Sequence, residues 1–399
     1  MLKLTCFLFI ALCYLLPFQS CKTKAQKGNQ NISDSTFIYS AAQVETLMVK
    51  PTCMGEYFAS QAGPLFKENA DGSLTYDSTF TVEKIKIPSD GLLITGWLYL
   101  PLGETKCPLV ILTNGGGDGS RGTKSFANFM APVLAHCGIA AFVHDKRGTG
   151  ESEGDYVNTT YNDYITDAGN CALVLSGHIR INPDLIGVMG ASEGGRIAVI
   201  AASRFPVIKF VVSQAGTVVT TVEDRLYAQL NGMKDGGVMN DSICTQVRPL
   251  WERSFKAWES NNPAEHEKVN KEIQEWRKKY DRNILPFTNH EMDSIPYFRY
   301  VLPTWNSMPN DYLTELGHFN KKWLAIFGEL DRVVPTDASI KNINHYMSLS
   351  GNKDYNIAVL PKCGHAPVDV DTKQMVNFHY LIMNWLNDNV INNRKNSLL

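Results

Sequence analysis

From residue 79 the chain alternates polar with apolar side chains. Thr79-Phe-Thr-Val-Glu-Lys-Ile-Lys-Ile-Pro88 has the period of two that turns one face of a strand toward a core. Leu92-Leu-Ile-Thr-Gly-Trp-Leu-Tyr-Leu-Pro101 follows a Ser-Asp-Gly turn, so the pair predicts a hairpin. The pattern then changes to short runs apolar on both faces, at 109–112, 139–143, 185–189, 210–212 and 324–327. Strands of that kind need helices on each side, as in a parallel sheet. Amphipathic segments near 123–136, 162–179, 194–204, 337–349 and 372–388 separate them. The alternation predicts an α/β class: a mostly parallel, doubly wound sheet that begins with an antiparallel hairpin.

Residues 217–318 break the rhythm. They are rich in charge and tryptophan and hold no buried-strand run. Asn262-Pro-Ala-Glu265 reads as a helix start, with Asn as the cap and Pro at the first position. Val269, Ile273, Trp276 and Tyr280 then share one face. The expectation is a helical cap inserted into a core formed by 37–216 and 319–399, above the carboxyl edge of the sheet.

Composition adds that a core is affordable: 399 residues, 44% hydrophobic and 20% charged, make a globular chain. With 38 basic and 40 acidic residues, the net charge of −2 leaves no basic stripe, which argues against a nucleic-acid partner. The start of the chain differs from the rest. Lys3 precedes an almost wholly apolar stretch up to Phe18, too short to span a bilayer and suited to an export signal over 1–20. It ends Phe18-Gln-Ser-Cys21, which resembles the lipobox of bacterial lipoproteins and makes Cys21 the expected lipidation site. Residues 21–36 are polar and read as a flexible tether. The expected location is the periplasm or outer membrane, with a lipid anchor as the only membrane contact; the alternative is a soluble secreted form. Of the nine cysteines, those at 53, 107, 137, 171, 244 and 363 remain beyond Cys21. Their irregular spacing, without C-x-x-C, predicts small buried hydrophobes and no metal site.

Two stretches fit G-x-S-x-G: Gly150-Glu-Ser-Glu-Gly154 and Gly190-Ala-Ser-Glu-Gly194. Ser152 lies in a loop, with no strand leading into it and no helix starting after it. Ser192 has Leu185-Ile-Gly-Val-Met-Gly190 before it and Arg196-Ile-Ala-Val-Ile-Ala-Ala-Ser203 after it. Strand, tight turn and helix form a nucleophile elbow, where small flanking residues let a serine hydroxyl project from the sheet edge. A hydroxyl needs a base, and the base needs an orienting acid. Among the histidines beyond Ser192, only His365 follows a strand-like run, Tyr355-Asn-Ile-Ala-Val-Leu-Pro-Lys-Cys-Gly-His365, within a loop. His266, His290, His318, His345 and His379 read as surface or packing residues. The acid is Asp331, just past the apolar run ending at Phe327, with Val333, Val334 and Pro335 behind it to fix the turn; Glu329 is its rival. For the developing oxyanion, one donor is the N–H of Glu193 and the other that of Gly116, with Gly117 as rival, in Asn114-Gly-Gly-Gly-Asp118. Phosphate binding by these glycines is disfavoured, because neither phosphate-loop pattern is present.

With these residues in place, the chain resembles the α/β-hydrolase superfamily, and more narrowly bacterial exported esterases and serine-aminopeptidase-like hydrolases. The resemblance rests on Asn114–Asp118, Asp145-Lys-Arg-Gly-Thr-Gly-Glu-Ser152, Gly190–Gly195, Gly328-Glu-Leu-Asp331 and Gly364-His365, in family order. Many relatives have histidine where this chain has Asn114. In the family a loop such as 147–152 supports the site, so Asp145 and Arg147 are assigned no chemistry. The resemblance implies acyl transfer to water by Ser192, His365 and Asp331, with no cofactor and no metal. The expected substrate is a small-molecule carboxylic ester; a peptidase or aminopeptidase, and a thioesterase or acyltransferase, use the same three residues.

Overall fold

A short antiparallel pair, β1 (Phe66–Glu68) and β2 (Leu74–Tyr76), precedes the main sheet. The expected hairpin then closes through Asp90 and Gly91, both at positive φ (49° and 80°), which is the backbone of a two-residue turn matched to strand twist. It joins β3 (Phe80–Ser89) to β4 (Leu92–Pro101). Six strands follow: β5 (Cys107–Thr113), β6 (Ala140–His144), β7 (Ile181–Ala191), β8 (Phe210–Gln214), β9 (Lys322–Gly328) and β10 (Tyr355–Leu360). Across the sheet the order is β10-β9-β8-β7-β5-β6-β4-β3. The strands β5 to β10 pair in parallel, whereas β4 runs antiparallel to both β3 and β6. The computed structural model describes residues 37–54, 66–68, 74–76, 79–116, 126–235, 241–279 and 312–392. The expected signal and tether, with Cys21, lie outside the described residues, as does Gly117.

The helices are α1 (Ala41–Leu47), α2 (Ala131–His136), α3 (Tyr161–Leu175), α4 (Glu193–Arg204), α5 (Thr221–Asp235), α6 (Asp241–Glu259), α7 (Pro263–Lys279), α8 (Tyr312–Glu315), α9 (Thr336–Ser350) and α10 (Phe378–Leu386). Leu134 of α2 and Leu381 and Trp385 of α10 pack with Val110, Val212 and Ile326 on one sheet face. Ile165 of α3, Ile197 of α4 and Ile343 of α9 pack with Ile111, Val188 and Phe327 on the other. The sheet is therefore wound on both faces, and its five apolar runs are its buried strands. One helix is shorter than the periodicity predicts. The segment expected from 372 becomes helical only at Phe378, because Asp369 Oδ1 accepts the N–H groups of Asp371 and Thr372, both at 2.8 Å. Those local bonds compete with helical ones.

Between β8 and β9 the described residues are mostly helical. Asn262 caps α7 as expected, its Oδ1 accepting from Glu265 N at 3.1 Å, and Pro263 opens the helix. Val269 and Ile273 are buried with Leu226, Val247, Trp251, Phe255 and Trp258 in a separate small core, against which Trp276 packs. Tyr280 lies outside the described residues. Tyr312, Leu313 and Leu316, within the span 217–318 expected of the insert, pack into the main core. Among the described residues no helix is long and apolar enough to cross a membrane.

Candidate active site

Parallel strands end on one edge, which is where open α/β sheets bind their ligands. Strand β7 runs into Ser192, whose backbone is held at φ 56° and ψ −123°, a conformation that is uncommon for a non-glycine residue. The glycines around it make this possible. A Cβ at Gly190 would overlap the Gly194 carbonyl and Thr113 Oγ1, and one at Gly194 would overlap the backbone of Thr113 and Asn114. Ser192 N donates to Gln214 O of β8 at 2.8 Å, which fixes the turn. Helix α4 begins at the next residue, so N–H groups without intrahelical partners cluster behind the hydroxyl.

Two other loops meet it there. His365 follows β10, and its Nε2 lies 3.0 Å from Ser192 Oγ. Its Nδ1 lies 2.9 Å from Asp331 Oδ2 in the loop after β9. The Asp331 side chain is fully buried and that of His365 is 23% exposed, so the imidazole alone of the two reaches solvent. Asp331 Oδ1 accepts from the N–H groups of Val333 and Val334, at 2.8 and 2.9 Å, which fixes the carboxylate's orientation. Gln214 Nε2 donates to His365 O at 2.9 Å. Burial disfavours a charged imidazole here, but the hydrogen bond and charge of Asp331, with a smaller contribution from Asp224, outweigh it. The proton affinity of His365 is raised above that of an ordinary histidine. Glu329 is directed elsewhere, accepting from Lys362 N at 2.8 Å.

Gly115 and Gly116 follow β5 beside the elbow: a Cβ on Gly115 would stand 3.8 Å from that of Ser192. Asn114 turns away from this loop, its Nδ2 donating to His144 O at 2.9 Å. Three residues that sequence reading missed complete the setting. Lys146 Nζ donates to Gly115 O and to Glu193 Oε1, both at 2.7 Å. Tyr161 donates to Glu193 Oε2 at 3.0 Å, and the Lys146 ammonium lies 4.7 Å from the Tyr164 ring centroid. Burial alone would raise the proton affinity of Glu193. The charge and hydrogen bond of Lys146, then Arg225 and Tyr161, outweigh it and hold the carboxyl below its usual range.

Ser152 has a different fate. It is buried, accepts from Thr95 N at 2.9 Å and donates to Asp145 O at 3.0 Å, so backbone bonds absorb its hydroxyl. Arg147 joins Asp90, Asp163 and Asp167 in ion pairs that brace the same loop. His266 accepts from Trp258 Nε1 at 2.9 Å within the insert's core, and His379 is buried against Phe129. Of the six later cysteines, 107, 171, 244 and 363 are buried, Cys137 is half-buried and Cys53 is exposed, against the expectation that all serve as core. Among the described residues no group of three or more His, Cys, Asp or Glu side chains is placed to hold a metal ion.

Several solved structures are similar to this chain. An esterase of Pyrococcus furiosus is 15% identical with a TM-score of 0.46, covering 78% of this chain and 94% of its own. A hypothetical protein from Pseudomonas aeruginosa is 16% identical with a TM-score of 0.49, covering 82% and 99%. The acylaminoacyl peptidase of Pyrococcus horikoshii is 16% identical with a TM-score of 0.49, covering 82% of this chain and 46% of its own. No curated protein matches the chain. Residues 90–341, more than half of the chain and including Ser192 and Asp331, match the family model of X-Pro dipeptidyl-peptidase (S15 family). The chain belongs to that family of serine hydrolases.

Proposed function

We propose that this chain hydrolyses carboxylic esters through an acyl-enzyme on Ser192, with His365 as base and then acid, and Asp331 as the partner that orients it. One observation carries the reading: Ser192 Oγ, His365 and Asp331 stand in a single hydrogen-bonded file, with contacts of 3.0 and 2.9 Å. With Nδ1–H donated to Asp331, the neutral imidazole leaves Nε2 free to take the serine proton as Oγ attacks the carbonyl carbon. The carbonyl oxygen becomes an oxyanion, received by the N–H groups of Gly116 and Glu193. His365 then gives its proton to the leaving oxygen. Water gives a proton to the same imidazole as it attacks the acyl-enzyme, and the imidazolium returns that proton to Ser192 Oγ as the acyl–oxygen bond breaks and the acid departs. The insert helices act as the cap that shapes the acyl pocket. Supporting this, Tyr227 of α5 donates to Asp331 O at 2.8 Å, which ties the insert to the acid's loop.

Membership of the dipeptidyl-peptidase family favours a second reading, release of a dipeptide ending in proline from a peptide's amino terminus. Amide cleavage uses the same file of residues, with His365 protonating the leaving nitrogen. The test is a panel of p-nitrophenyl esters of graded acyl length against X-Pro p-nitroanilides, with Ser192→Ala as the blank. Higher kcat/KM on an ester supports the first reading; higher kcat/KM on an X-Pro anilide replaces it with the second. Loss of neither activity in Ser192→Ala would refute both. Export with acylation at Cys21 completes the proposal, supported by the apolar stretch and the Ser20-Cys21 junction.

A further inference from the structure

We infer that Lys146 is a positioning residue for the oxyanion site, tying the loop that carries one donor to the elbow that carries the other. The inference rests on the reading above, in which the N–H groups of Gly116 and Glu193 receive the oxyanion. Lys146 follows β6, and its side chain is only 4% exposed. Its ammonium bridges two acceptors at 2.7 Å each, Gly115 O and Glu193 Oε1. Gly115 O and the N–H of Gly116 belong to one peptide unit. That unit is trans, so its oxygen and its N–H point in opposite directions. A cation that holds the oxygen on one side therefore aims the N–H to the other. The same cation polarises the unit, which strengthens the N–H as a donor. The second bond of the ammonium reaches the side chain of the residue that supplies the other donor. Tyr161 fixes the far oxygen of that carboxylate at 3.0 Å, so Glu193 cannot swing away.

Stability is a weak reason for such an arrangement. Burying an ammonium and a carboxylate strips both of water, and apolar replacements of similar size are often neutral or better. Fixing two donors before reaction is a stronger reason, because preorganised donors lower the barrier without reorganising during it.

The experiment compares the full chain with Lys146→Met and the double variant Lys146→Met/Glu193→Gln on p-nitrophenyl butyrate. It also measures inhibition by an alkyl boronic acid, which forms a tetrahedral adduct on serine. Lys146→Met leaves a buried carboxylate unpaired and loses stability; the double variant removes that charge and recovers Tm. The expected result in the double variant is a native-like Tm with kcat reduced ~10²-fold, in line with the loss of one oxyanion donor, and KM within about twofold. Boronate affinity should fall in parallel with kcat. Wild-type kcat and boronate affinity in the refolded double variant would overturn the inference, as would activity losses that track the unfolded fraction alone. Ser192→Ala runs beside them. If it keeps wild-type turnover, the triad reading fails; if it is inactive while the double variant is fully active, only the role of Lys146 fails.

Discussion

At Ser192 the backbone adopts φ 56° while its hydroxyl meets an imidazole at 3.0 Å, so backbone strain and the contact on which the proposed mechanism rests fall on the same residue. Ser192→Ala is expected to lower turnover at least ~10³-fold in a steady-state ester assay, as removal of such nucleophiles does elsewhere. His365 must be neutral to act as a base, and its proton affinity is raised. Activity therefore rises with pH through a value above about 6.5, the ordinary histidine pKa, and is lost below it. Asp331→Asn removes the carboxylate charge that raises this affinity. The acid limb of kcat/KM should then move to lower pH while the plateau falls by ~10⁴-fold, because the imidazole takes the wrong tautomer. A limb unmoved in that variant would contradict the pairing. At this scale the sequence was informative wherever a side chain's neighbours lie along the chain. Gly190 and Gly194 flank Ser192, and Val333 and Val334 bind Asp331 Oδ1 from two and three residues away. Lys146 was silent because its partners, Gly115 and Glu193, lie 31 and 47 positions from it. No local pattern encodes such a pairing.

Elements bring these residues together because β5, β7, β9 and β10 are parallel and end on one edge. Their apolar runs were legible from hydrophobicity, and the hairpin turn from Asp90-Gly91. The start of α10 was not, since amphipathic spacing from 372 hides the turn that Asp369 stabilises. The elbow itself offers a sharp test. Gly190→Ala drives a Cβ into the Gly194 carbonyl and Thr113 Oγ1. It should cost about 1–3 kcal/mol or more, read as a lower urea midpoint, with activity falling further than stability. A variant of native stability and full activity would show that β7 and α4 are not packed as closely as described.

For the molecule as a whole, the family match spans β4 into α9 and stops short of His365. The candidate base, His365, thus lies beyond the matched span, and its assignment rests on the geometry of its contacts with Ser192 and Asp331. Substrate choice is the part least legible in the sequence. Under the cap reading it would be set by α5 to α7, whose apolar contacts are with one another across non-local spacings. If Cys21 carries lipid, cells fed labelled palmitate yield a labelled, membrane-associated chain, and Cys21→Ala yields an unlabelled, soluble one. Equal labelling of both would exclude that anchor. The central claim, that one hydroxyl on the sheet edge is activated by its neighbours, is tested most directly by treating the folded chain with an alkyl fluorophosphonate and mapping the adduct by tandem mass spectrometry. The account predicts a single phosphonylated residue, Ser192, and no adduct once His365 is replaced by alanine; modification at Ser152, or none in the intact chain, would contradict it.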